Sequence, residues 1–181
     1  DVYKRQLFCD GDMIIRDDLK KLWDLRDATK AVQVVKHDYK TREGRKYKGS
    51  PIENDNIDYP MKNWSSVMIW NCSHPAHAIL TKEFVAEAGG AFLHRFKWLD
   101  DQEIGNLPKE WNHLVREQEY NPNAKLVHFT LGAPGFANYA RDDYAWEWNA
   151  HLLDSINMVG ERTEEIIRRA QWRNTNIRKT G

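Results

Sequence analysis

A short apolar segment, Gln6-Leu7-Phe8-Cys9, runs straight into Asp10-Gly11-Asp12. An apolar run that stops at paired charges reads as a buried strand whose end opens on a loop. Ala31 to Val35, Ser65 to Trp70 and Lys125 to Thr130 repeat that signal further along the chain. Helix signals fall between and after them. Asp17 and Asp18 are capping residues for a helix over Leu19 to Leu25, with Leu19, Leu22 and Trp23 as its apolar stripe. Pro75 opens a helix to about Ala88 that Gly89-Gly90 closes. Asp100 to Gly105 reads as a short helical turn, and two helices, about Asp142 to Met158 and Glu161 to Arg173, end the chain. Strands alternating with helices predict an α/β fold with a largely buried sheet.

The 181 residues suit one domain with a sizeable core. Lys plus Arg and Asp plus Glu are each 27, so net charge is zero, and a dedicated nucleic-acid binder is excluded from the expectations. No apolar run approaches the length of a membrane span, and Cys9 and Cys72 make no disulfide framework, which favours a cytoplasmic protein. The neutral total conceals two basic tracts. Residues 36–50 carry Lys36, Lys40, Arg42, Arg45, Lys46 and Lys48, and with 51–62 they form a long polar loop. It is either a solvated insertion or a loop for an anionic ligand or acceptor. Arg162, Arg168, Arg169, Arg173, Arg178 and Lys179 make a terminal tract that is either a solvated helix face or a peripheral contact with an anionic inner-membrane surface. Eight Trp suit an aromatic core or flat faces for sugar rings.

Three constellations carry chemistry. Asp10 and Asp12, two apart on an extended chain, point the same way and can share a divalent cation, Mg²⁺ or Mn²⁺. Gly11 between them lets a ligand approach the backbone. Such a pair after a strand has two readings. One is the metal site of a nucleotide-sugar glycosyltransferase. The other is the nucleophile loop of a haloacid-dehalogenase-like phosphohydrolase, with Asp10 attacking phosphorus, Asp12 as acid/base and Asp100 or Asp101 on Mg²⁺. The second constellation is Asp100-Asp101-Gln102-Glu103, with Asn106 and Trp111-Asn112 downstream. The third is His128-Phe129 at a strand end before Gly132-Ala133-Pro134-Gly135, where the His is a candidate metal ligand and the loop N–H groups can face phosphate. Cys72, His74 and His77 lack a fourth ligand at zinc spacing.

In this order the motifs resemble the family 8 glycosyltransferases, the group of glycogenin and the bacterial lipopolysaccharide galactosyltransferases. That family runs from a strand into Asp-X-Asp and a Leu-X-X-Leu-Trp-X-Leu helix, matched by Asp10-Gly11-Asp12 and Leu19 to Leu25. Its Asn-Ser-Gly-Val-Leu-Leu-Ile-Asn strand corresponds to Trp64 through Asn71, its Asp-Gln-Asp to Asp101-Gln102-Glu103, and its His-Phe-X-Gly motif to His128, Phe129 and Gly132. The resemblance spans about residues 7–136. Trp64, Ser66 and Glu103 depart from the pattern, an extra residue precedes Gly132, and the lysine that would bind diphosphate is missing. Phosphate contacts must then come from the Gly132 to Gly135 loop or from a basic residue elsewhere, and the departures suggest a bacterial or phage branch.

The resemblance implies a GT-A fold with a mixed central sheet and a helical C-terminus. It implies Asp10, Asp12 and His128 as ligands for Mn²⁺ or Mg²⁺, and Asp101 and Gln102 as catalytic residues at the donor sugar. It adds Gly11, Ser65, Asn71 and Gly132 as substrate contacts. It implies transfer, with retention, from a nucleoside diphosphate sugar, first of all a UDP-sugar, to a glycan or lipid-linked acceptor. The 36–62 loop, Tyr139, Trp146 and Trp148 are candidates for the acceptor side. A non-catalytic carbohydrate-binding module is the third option. GT-A enzymes place a nucleotide-binding βαβ half before Asp-X-Asp, whereas nine residues precede Asp10. The chain is therefore expected to be the C-terminal portion of a longer enzyme: 1–6 non-native, 7–136 the catalytic core and 137–181 its closing helices.

Overall fold

The computed structural model describes residues 4–177, with side chains described through Glu165 and at Arg168. The chain divides into two units, Asp1–Asp143 and Tyr144–Gly181. The first is α/β. Its central sheet holds β1 (Arg5–Cys9), β3 (Val32–Val34), β6 (Val67–Asn71) and β7 (Ile104–Asn106), in the order β1-β6-β3-β7. β6 runs antiparallel to both neighbours and β3 parallel to β7, so the sheet is mixed as expected. β2 (Met13–Ile15), β8 (His113–Leu114) and β9 (Leu126–His128) form a second sheet in the order β2-β9-β8. β4 (Arg45–Lys46) and β5 (Asn54–Asp55) form a hairpin.

Two-residue alternation builds a core on each face of the central sheet. Val67 and Ile69 of β6 face one way, with Leu7 and Cys9 of β1 beside them. They pack with Val35, Leu107, Trp111, Leu126 and with Leu22 of α1 (Leu19–Trp23). Met68 and Trp70 face the other way, against Val32, Val34, Phe96, Ile104 and Trp98. β1 is an edge strand, which leaves Phe8 on its outer face exposed. α1 starts where expected, with Asp18 Oδ1 accepting from the Lys20 N–H at 2.8 Å.

Several elements differ from the sequence expectation. The strand expected from Ser65 begins at Val67, because Trp64–Ser66 is a 3₁₀ turn. Asn63 enters that turn with φ 61°, and Ser66 Oγ donates to the Asn63 carbonyl at 2.7 Å. The helix expected over Pro75 to Ala88 is a 3₁₀ turn, Pro75–Ile79, followed by α2 (Lys82–Glu87), whose Phe84 N–H donates to Thr81 Oγ1. Gly89 then caps a further short helix, α3 (Gly90–His94). In the second unit one helix, α4 (Ala145–Ile177), replaces the two expected. A lone Gly160 costs about 1 kcal/mol within a helix but leaves its hydrogen bonds intact. Arg162 and Arg168 are exposed on α4, whereas Arg178 and Lys179 of the basic tract lie outside the described residues. No helix among the described residues is long and apolar enough to cross a membrane.

Candidate metal centre and its cleft

The two sheets pin the Asp10-Gly11-Asp12 bend from both sides. Asp10 N–H donates to the Ser66 carbonyl at 3.0 Å, at the start of β6. Asp12 C=O accepts from Phe129 N–H at 3.0 Å, just past the end of β9. β2 then pairs with β9 so that Met13 faces His128. Chain direction and register therefore bring one imidazole to two carboxylates. His128 Nε2 stands 3.3 Å from Asp12 Oδ1 and 4.0 Å from Asp10 Oδ2, and the three potential ligand atoms lie within 4.8 Å of one another.

A second layer orients the imidazole. Asn112, at the end of a 3₁₀ turn before β8, donates through Nδ2 to the Asn63 carbonyl (3.2 Å) and to Ser66 Oγ (2.8 Å). The carbonyl only accepts, and the Ser66 hydroxyl already gives its proton to that carbonyl. The Asn112 amide is therefore turned with Oδ1 towards His128 Nδ1, at 3.2 Å. Nδ1 carries a proton, which leaves Nε2 to face the carboxylates, as a lone pair for a cation in the neutral ring or as a donor to Asp12 in the protonated one. Metal-binding histidines are commonly held this way. A lone pair facing two carboxylates is repulsive unless a proton or a cation stands between them. One nitrogen and two hard oxygens with open positions suit Mg²⁺ or Mn²⁺.

The two carboxyls are driven apart. Burial raises Asp10 above the usual carboxylate range, opposed by His128 and reinforced by Asp12. Burial also acts upward on Asp12, but the hydrogen bond and charge of His128 outweigh it and leave Asp12 low.

These groups open on a cleft of about 410 Å³ that Lys46, Tyr47, Tyr59, Asn63, Ser65, His94, Arg95 and Thr130 also line. Lys46, Tyr47 and Tyr59 come from the long polar loop, which is largely exposed but anchored by buried residues. Glu117, 3% exposed, accepts from Arg42 N–H and Asn56 Nδ2, both at 2.8 Å. Lys62, 6% exposed, donates to Asn56 Oδ1 and to the Ile57 carbonyl. This buried network fixes the loop that carries the β4/β5 hairpin.

The remaining expected site residues divide. Ser65 lines the cleft, its Oγ 2.9 Å from His94 Nδ1. Gly11 is the exposed bend between the two aspartates, with nothing within 4 Å of where a Cβ would stand. Gly132 is filled from behind, since a Cβ there would meet the Tyr139 ring at 2.6–3.0 Å. Tyr139, a candidate for the acceptor side, is fully buried, and its hydroxyl accepts from Lys48 N–H at 2.9 Å. Trp146 is exposed on α4 in the other unit.

Asn71, Asp101 and Gln102 are not brought to the cleft. Asn71 pairs with Arg5, at the opposite end of β1 from Asp10, and its Nδ2 donates to the Ala28 carbonyl. Asp101–Glu103 is a 3₁₀ turn leading into β7 at that same far end, where the Glu103 carbonyl accepts from Ala31 N–H. Five strand residues at about 3.3 Å each separate the two ends by roughly 16 Å. Four of the eight tryptophans pack in or against the core: Trp70 and Trp98 stack with ring centroids 6.1 Å apart, Trp64 donates to the His37 carbonyl, and Trp111 is buried. Sequence reading offered the 36–62 loop, which carries Lys46, Tyr47 and Tyr59, as a ligand or acceptor loop, but it missed Asn63, His94 and Arg95 as cleft residues, and no sequence signal marked them.

No family model matches the chain. Two structures of the galactosyltransferase LgtC were found similar: one in complex with donor and acceptor sugar analogs, the other an active-site mutant. They share 17% and 15% identity with this chain, at TM-scores of 0.45 and 0.46, and each alignment covers 84% of this chain and 61% of that one. Protein CDI of Arabidopsis thaliana is 40% identical over 147 residues, which are 78% of this chain and 55% of that protein. The chain thus spans about half the length of this plant relative.

Proposed function

We propose that this chain carries the metal-binding part of a GT-A glycosyltransferase that uses a nucleoside diphosphate sugar, UDP-linked in the first instance, and a glycan or lipid-linked acceptor. The observation that carries the reading is the meeting of Asp10, Asp12 and Nε2 of His128 in an open cleft. The motif order that resembles family 8 supports it. Asp10, Asp12 and His128 would hold Mn²⁺ or Mg²⁺. When bound, the ion supplies positive charge against the diphosphate that develops as the glycosidic bond breaks.

The chain's own groups do the rest. Asn112 keeps the His128 proton on Nδ1. Ser65 and His94, hydrogen-bonded at the rim, offer a hydroxyl and an imidazole to the sugar or acceptor. Retention remains the stereochemical expectation that comes with the resemblance. Asp101 and Gln102 have no sugar contact in this reading, given the sheet end on which they stand. The same separation weakens the phosphohydrolase reading, which needs Asp100 or Asp101 on the same ion as Asp10.

Calorimetry of the 181-residue chain with UDP tests the proposal. We expect binding that requires Mn²⁺ or Mg²⁺ and disappears in the Asp10→Ala, Asp12→Ala double variant. Metal-independent binding, or Asp10-dependent phosphate release from p-nitrophenyl phosphate, would contradict it.

A further inference from the structure

Among the six basic side chains of residues 36–50, one is treated differently from the others. Lys40 pairs with Asp58, Arg42 with Glu119, Arg45 with Glu53 and Asp55, and Lys48 with Glu43. Lys36 lies over the Trp64 ring. Lys46 is half-buried, and among the described residues its ammonium meets the Thr130 hydroxyl at 3.3 Å and no carboxylate within 4 Å. It lines the same cleft as Asp10 and Asp12.

Its position is fixed from three sides. Lys46 pairs with Asn54 across the hairpin. Thr130 Oγ1 accepts from Lys46 and donates to Asn63 Oδ1. The next residue, Tyr47, is locked with φ 53° by its N–H bond to the Leu131 carbonyl at 2.7 Å.

A half-buried ammonium without a counter-ion is costly unless something anionic completes it. Asp12, Glu117 and Asp10 fill that role at longer range, and their pull partly offsets the burial that lowers Lys46. A divalent ion among the carboxylates cancels their charge, and it repels Lys46. A diphosphate held near both the cation and the ammonium would offset that repulsion. Lysine suits this task as a compact point charge.

We propose that Lys46, delivered by the β4/β5 hairpin, is a diphosphate contact that makes metal and phosphate binding cooperative. It would take the place of the lysine that this chain lacks after His128. The inference rests on the reading of the site as a metal–diphosphate centre.

The test uses the 181-residue chain, its Lys46→Met and Lys46→Arg variants, and calorimetry with Mn²⁺ alone, then inorganic pyrophosphate or UDP at saturating Mn²⁺. We expect Lys46→Met to weaken both phosphate ligands at least tenfold, with Mn²⁺ alone bound as tightly or more tightly. Lys46→Arg should restore most of the phosphate affinity. This opposite response of the two ligands separates a diphosphate contact from a structural role, which would weaken both. Unchanged phosphate affinity in Lys46→Met overturns the inference while leaving the glycosyltransferase reading intact, as does a parallel loss of Mn²⁺ affinity. Lys46-dependent pyrophosphate binding without UDP binding supports the inference and overturns the nucleotide reading.

Discussion

The two ends of the central sheet carry equally polar sequence and use it in opposite ways. At one end, Asp10, Asp12 and His128 turn their side chains towards a common open point, and Asn112 and Ser66 hold them there. At the other, polar groups close on the backbone around them. Asn71 bonds the Ala28 carbonyl, Glu103 accepts from Asp100 N–H at 2.8 Å, and the Gln102 carbonyl accepts from Lys30. Asn71 and Glu103 are thus engaged within the fold, while the exposed Asp101 and Gln102 side chains stand apart from the Asp10–Asp12–His128 cluster. Side chains fixed by neighbours and facing an open cleft are organised to receive a ligand.

The largest expected effect tests whether orientation at the first end matters. Asn112→Leu keeps the volume but removes the acceptor for His128 Nδ1. We expect Mn²⁺ affinity to fall by about 10–100-fold, as when other orienting partners are lost. Retention of wild-type affinity in a folded variant would mean the imidazole needs no such support. Next comes Gly132→Ala, whose Cβ would strike the Tyr139 ring. A destabilisation of about 1–3 kcal/mol is expected in urea unfolding, together with weaker pyrophosphate binding, because Tyr139 anchors the hairpin at Lys48.

A more gradual effect is set by pH. His37 follows β3 on the side of the cleft, 7% exposed, with its Nε2 unpartnered. Burial, helped by the charges of His128, Lys109 and His113, pulls it down to about 3. An unfolded histidine titrates near 6.5, so between about pH 6.5 and 3 the unfolded state binds more protons. Stability should therefore fall as pH drops through that window, by up to about 1.4 kcal/mol per pH unit from this residue. Replacing it, as in His37→Phe, should flatten the slope of urea midpoints against pH; superimposable slopes would remove His37 as the source.

What could be read in advance follows from the range of each contact. The strand ending at Asp10 and the histidine ending β9 were legible because each is a local pattern: an apolar run and the residue that stops it. Their meeting follows from the pairing of Met13 with His128. The motif resemblance placed Asp101, Gln102 and Asn71 with them because it preserved chain order. Order along the chain does not say which end of a strand a residue occupies. β3 and β7 run parallel, so the turn before β7 falls at the end where β3 starts, away from Asp10. Asn112 stood in the same motif and does reach the site, across a 3₁₀ turn that no propensity signals. Lys46 was one of six basic residues in a loop, and only a hydrogen bond to Thr130, 84 residues away, distinguishes it. The anchoring pair of that loop, Asn56 and Glu117, is likewise 61 residues apart.

The central claim is that the two sheet ends differ in function, and Mn²⁺ binding followed by electron paramagnetic resonance tests it directly on three proteins: the unaltered chain, Asp12→Asn and Asp101→Asn. The account predicts one bound Mn²⁺ in the unaltered chain, loss of that binding in Asp12→Asn, and no change in Asp101→Asn, whose stability should also stay within about 0.5 kcal/mol. Undiminished binding in Asp12→Asn, or binding lost in Asp101→Asn, would contradict it.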